Sequence, residues 1–170
     1  MKIGKPNKED APPWCPYYFN LVTEDNLTEA LQHNRKDTFD FIRSVPSSKE
    51  NFSYSENKWT PKEVFIHIID FERFYAYKAL CSARHVDTDL SFDQKLFAKN
   101  CNASNRTLKD IAEEFSFTRD STINLFSTMT LAMLDFKGFQ NKQVFTARSL
   151  GWMMAGHATH HCNMILEKYL

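Results

Sequence analysis

Four stretches of this sequence, each about 20 residues long, repeat apolar side chains at the spacing of a helix turn, and none is interrupted by proline. An amphipathic helix of that length spans about 30 Å and has to bury its stripe against another element. The clearest start is Thr60-Pro61-Lys62-Glu63, a capping box with proline at the first helical position. It predicts a helix to about Arg84, with an inner stripe of Val64, His67/Ile68, Phe71, Phe74/Tyr75 and Lys78/Ala79. A helix over about 24–44 carries Leu27, Leu31, Phe39 and Ile42, and Pro46 ends it. Thr107-Leu108-Lys109-Asp110 opens a third, to about Ser127, with Leu108, Ile111/Ala112, Phe115, Arg119, Thr122/Ile123 and Phe126 inward. Thr146 caps a fourth, over about 147–169, with Leu150, Met153/Met154, His157, His161, Met164/Ile165 and Lys168 inward. Residues 86–106 are a long connection with a short helix near Asp93 to Ala98, and 129–145 are a second connection. The expectation is an all-α four-helix bundle over 21–170. It is preceded by an extended, Pro-rich arm over 1–20, whose Trp14, Tyr17 and Tyr18 anchor it on the bundle.

Composition agrees. A chain of 170 residues suits one domain and buries a substantial core without metal or disulfide staples. Four Gly and six Pro are too few for a turn-rich all-β fold, while fifteen Phe, six Met and three Trp supply apolar volume. Basic and acidic side chains balance at 21 each, which argues against nucleic acid or an anionic membrane as partner. No apolar run approaches the ~20 residues that span a bilayer. Met1 to Asp10 contain no apolar signal core, and Cys15, Cys81, Cys101 and Cys162 form no C-x-x-C pair. The expectation is reduced thiols in a cytoplasmic protein.

Three of the six histidines fall on inward stripes. His157 and His161, at i and i+4, lie one turn apart on one helix face. His67 lies on the inner stripe of another helix. Together they make either three hydrogen-bonded core histidines or a three-nitrogen metal site with open positions, as in catalytic zinc centres. Each buried imidazole needs partners, which makes three of them a costly way merely to fill a core. His160 points about 100° away from His161 and is either a flanking residue, a support for the ligands or a substrate contact. Position 158 is Ala, so the general base of an H-E-x-x-H metalloprotease is absent, and no Glu-x-x-His pairs offer a di-iron site.

Asp70, three residues after His67, either orients that imidazole, serves as a fourth ligand or pairs with Arg73 or Lys78. Arg119 sits on an apolar stripe and needs an anionic partner, which Asp70, Glu72 or a substrate's negative group supplies. Tyr77 either lines the same wall or packs. Gly156, in mid-helix, costs about 1 kcal/mol relative to Ala and marks a close approach to the helix.

Trp59-Thr60-Pro61-Lys62-Glu63-Val64, His67-Ile68-Ile69-Asp70-Phe71-Glu72-Arg73 and Gly156-His157-Ala158-Thr159-His160-His161 together resemble the DinB/YfiT-like superfamily. The resemblance covers about 20–170 and extends to Tyr77-Lys78-Ala79-Leu80, Ser91-Phe92-Asp93, Glu114-Phe115 with Arg119, and Glu167-Lys168-Tyr169-Leu170. It implies a four-helix bundle with a long crossover between the second and third helices. It also implies a divalent metal ion, nickel or zinc, on His67, His157 and His161. Some relatives transfer low-molecular-weight thiols to electrophiles, and members often form dimers. The implied activity is therefore metal-dependent hydrolysis or thiol transfer on a small-molecule substrate, with a thiol cofactor and a homodimer among the partners. Asp70, Arg119 and His160 are the candidates for catalytic support. Two departures stand out: Ala158 where relatives often carry Glu, and Lys78 where they often carry Arg. The alternative is a non-catalytic, metal-binding or stress-related bundle.

Overall fold

A computed structural model describes residues 1–140 and 142–170, so position 141 of the second connection lies outside it. The helices are α1 (Pro16–Asn20), α2 (Leu27–Ser44), α3 (Pro61–Ala83), α4 (Gln94–Lys99), α5 (Leu108–Ser127), α6 (Leu131–Asp135) and α7 (Ala147–Lys168). The four long ones, α2, α3, α5 and α7, form the bundle. Three of them begin as their cap residues dictate: Thr60, Thr107 and Thr146 each accept a hydrogen bond from the third helical N–H, and Glu63, Asp110 and Ser149 reach back.

Helix α2 packs on α5 and α7, and α3 packs on the same two helices from the other side. Sequence neighbours α2 and α3 therefore stand on a diagonal, as do α5 and α7. Tyr169, closing α7, donates its hydroxyl to the carbonyl of Trp59, just before α3, at 2.5 Å, so α3 and α7 run antiparallel.

One polar chain passes through all four helices. Arg119 of α5 is fully buried and makes a bidentate pair with Glu72 of α3, at 2.7 and 2.8 Å. Its remaining Nη donates to Asn34 of α2 at 2.6 Å, and Asn34 donates to Thr159 of α7 at 3.1 Å. Around this chain the core divides into two apolar clusters. One gathers Leu27, Leu31, Phe126, Trp152 and Met153, the other Ile42, Phe65, Ile111, Phe115 and Ile165.

The connections hold more structure than periodicity predicts. The short helix expected near Asp93 is α4, with Asp93 as its N-cap accepting from the amides of Lys95 and Leu96. The second connection folds into α6 and a two-stranded antiparallel ribbon, β1 (Gly138–Gln140) with β2 (Gln143–Phe145). Strands this short carry too little alternation to be read from sequence. The N-terminal arm is expected as extended chain, but it contains a 3₁₀ turn at Lys8–Asp10 and the helix α1, which Pro16 initiates. Gly4 ties the arm down by accepting from the Trp152 indole at 2.9 Å and from Arg148 at 3.1 Å. No helix among the described residues is long and apolar enough to cross a membrane.

A candidate metal centre between α3 and α7

His67 sits two turns into α3, and His157 and His161 share one face of α7. Antiparallel packing brings the three rings together at the border of the two apolar clusters. The Nε2 atoms of His67 and His161 approach Nε2 of His157 to 3.2 and 3.1 Å, and ligand atoms of all three residues lie within 4.8 Å of one another.

This arrangement is unsatisfying for imidazoles alone. A neutral ring carries one proton, so Nε2 of His157 can complete a hydrogen bond with only one of its two neighbours if it is the donor. Nδ1 of each of the three rings is buried without a hydrogen-bond partner among the described residues. Burial holds the rings neutral: it lowers His67 to about 4 and His161 to about 3, and with help from its two neighbours it holds His157 well below the ordinary imidazole range. Neutral imidazole is the ligand form. Two nitrogens bound at about 2.0–2.1 Å to one tetrahedral ion stand about 3.3 Å apart, close to the separations found here. The donor set therefore fits a divalent ion, and three ligands leave coordination positions open.

Aromatic rings enclose the cluster. Phe71 stacks on His157 at 3.5 Å with the planes 7° apart, Trp59 lies 5.0 Å and Phe92 5.8 Å from His67, and Tyr18 lies 5.8 Å from His157. His67 and His157 are each only 3 % exposed, whereas His161 is partly open. Periodicity places Phe71 on the inner stripe. Phe92 lies in a connection and Tyr18 in the arm, where no period marks a position as facing the site.

The other candidates separate. Asp70 does not reach His67, whose Nδ1 has no partner. Its carboxylate lies 4.0 Å from Arg73 and lines a groove with Cys101, Arg106 and Glu114, on another flank of α3. Burial there pushes its carboxyl above the ordinary range, against the pull of Arg73. Arg119 gives three of its N–H groups to Glu72 and Asn34 and is fully buried between them, out of contact with solvent. Tyr77 is exposed. His160 is not among the clustered ligands: its Nδ1 meets the Tyr17 hydroxyl at 2.9 Å, and its ring lies 4.9 Å from that of His161. Gly156 marks the approach that its mid-helix position implies. A Cβ there would overlap the carbonyl oxygen of Tyr18 and stand 2.6 Å from its carbonyl carbon, so α1 rests directly on the α7 backbone beside the histidines. Ala158 is fully buried in the second apolar cluster, where a carboxylate would be an unpaired core charge.

Comparison with known proteins agrees with this fold. YfiT from Bacillus subtilis, described as a probable metal-dependent hydrolase with an unusual four-helix bundle topology, superimposes with a TM-score of 0.73 over 96 % of this chain and 90 % of its own, at 14 % identity. Comparison with curated proteins finds no match. The sequence profile of the DinB superfamily matches residues 30–165, a span that contains all four bundle helices almost entire and all three clustered histidines, and the chain belongs to the DinB superfamily.

Proposed function

We propose that His67, His157 and His161 bind one divalent metal ion, nickel or zinc, and that the protein is a metal-dependent enzyme acting on a small molecule. The convergence of the His67 and His161 Nε2 atoms on that of His157 at 3.2 and 3.1 Å, with all three Nδ1 atoms buried and unpartnered among the described residues, carries this reading. An ion held there supplies Lewis acidity, lowering the pKa of a water or thiol presented to an electrophile, which is the chemistry of hydrolysis or thiol transfer. The protein's own part is to hold three neutral nitrogens in a dry aromatic enclosure. Phe71 fixes the plane of His157, Trp59 and Phe92 confine His67, and the partly open His161 marks the side from which a substrate approaches. His160, on that same turn of α7, and Tyr17 of α1, whose hydroxyl meets it at 2.9 Å, are placed to hold a proton near an incoming group.

The test is metal analysis of untagged protein with nickel and zinc, followed by turnover assays against panels of esters, amides and thiol–electrophile pairs. About one equivalent of metal, lost in His157→Ala, is expected. A metal-free wild type matched in stability by His157→Ala would refute the site. The burial of two of the three rings supports a second reading, a metal that only braces the bundle. Turnover that depends on His67 separates the two.

A further inference from the structure

Beside the cluster, a groove of about 490 Å³ opens where α3 begins and α7 ends. Its apolar lining includes Tyr54, Trp59, Met164 and Tyr169. Its charge is one-sided: Lys58 and Lys95 line it and no carboxylate does. In a chain whose charges balance, that is a local excess of two cations. Neither ammonium has an ion-pair or side-chain hydrogen-bond partner among the described residues. Two nearby acids are occupied elsewhere. Glu63 turns back to the amide and hydroxyl of Thr60 at 2.7 and 2.9 Å, and Asp93 caps α4.

The groove and the histidines share a wall. Trp59 lines the groove, and its ring lies 5.0 Å from that of His67. Met164 lines it too, one turn beyond His161, the most open of the three ligands. Tyr54 and Tyr169 meet edge to face at 4.9 Å, forming a preset aromatic corner. A volume of this size lies in the usual range for small-molecule sites, which combine apolar walls with a few placed polar groups.

We propose that this groove binds the body of the substrate, and that the substrate is an anion with an aromatic or otherwise apolar body, its carboxylate or phosphate held by Lys58 and Lys95. As a substrate groove it rests on the metal reading above; as an anion site it stands without it. The indole N–H resonance of Trp59, assigned with Trp59→Phe, reports occupancy in metal-stripped full-length protein. Phenyl phosphate and 3-phenylpropionate are expected to shift it saturably with Kd on the order of 1 mM, and neutral 3-phenylpropanamide to bind about tenfold more weakly. The double variant Lys58→Gln, Lys95→Gln is expected to lose about tenfold on both anions while keeping the wild-type affinity for the amide, which also shows that the groove remains folded. Phosphate binding clearly above carboxylate binding identifies a phosphate ester, and equal binding identifies a carboxylate.

The proposal is overturned if the amide binds as well as the propionate, if the double variant keeps the anions, or if neither anion gives a saturable shift by about 10 mM. It is equally overturned if anion binding appears only after metal loading and survives the double substitution, because the anion then sits on the ion. Failure of the metal reading leaves these titrations unchanged and shows separately, as absent metal.

Discussion

Replacing Glu72 tests how the bundle holds together around its centre. Glu72→Ala removes both acceptors of Arg119, at 2.7 and 2.8 Å, and leaves a guanidinium of zero exposure with Asn34 as its one hydrogen-bonding partner and the face of Phe115 at 5.1 Å. Hydrogen bonds to charged groups are worth about 1.5–3 kcal/mol each, and breaking one side of a buried pair costs about 3–5 kcal/mol, because the survivor stays unpaired. Against a total stability of about 5–15 kcal/mol, that is a large fraction. The reciprocal Arg119→Met orphans a carboxylate that is 1 % exposed and is expected to cost a similar amount. Glu72→Leu combined with Arg119→Met removes both charges and fills the space, so it is expected to lie within about 2 kcal/mol of wild type; with Glu72→Leu and Arg119→Met as the single variants it closes a cycle whose interaction energy is several kcal/mol. Urea unfolding of metal-stripped protein, followed by circular dichroism at fixed pH, measures all four corners. A loss below about 1 kcal/mol in Glu72→Ala, at unchanged m value, would refute the reasoning, since it would mean that the guanidinium reaches water.

Three further outcomes are expected. Gly156→Ala gains about 1 kcal/mol of helix propensity but drives a methyl into the Tyr18 backbone, so net destabilisation of about 1–3 kcal/mol is expected, with loss of hydrogen-exchange protection in α1; a variant more stable than wild type would contradict it. His160→Ala is expected to retain a full equivalent of metal where His161→Ala loses it, as measured by metal analysis after dialysis; equal loss would place His160 among the ligands. Metal-stripped protein is expected to weaken as pH falls. The clustered imidazoles take up protons only near 4 and 3 when folded but near 6.5 when unfolded, so the unfolded state binds more protons between those values. A fall of about 1–2 kcal/mol per imidazole in urea stability from pH 7.5 to 5 is expected, and a flat profile would contradict the burial.

The long helices and the histidine triad are legible in the sequence because both depend on a period. Capping boxes at Thr60 and Thr107 fix two starts, and the 3.6-residue stripe places His67, His157 and His161 inward. The stripe also shows that Arg119 turns inward, but it cannot choose between Asp70 and Glu72. They lie two residues apart on α3, and the crossing of α3 on α5 makes that choice. Asp70 fails as a support for His67 because a separation of three residues shares a face without guaranteeing contact; its side chain leans toward Arg73, Arg106 and Glu114 instead. The ribbon over 138–145 and the seat of α1 on Gly156 depend on tertiary packing with no local period, so only the glycine itself hints at the latter.

His67 and His157 stand 90 positions apart in the chain. The two halves of the cluster meet only when a long-range contact of the fold, α3 against α7, has formed. An ion that needs all three ligands is therefore held only by the assembled pair of helices. Such an ion acts as a clasp: it binds the folded molecule alone, and opening the contact between α3 and α7 means giving the ion up.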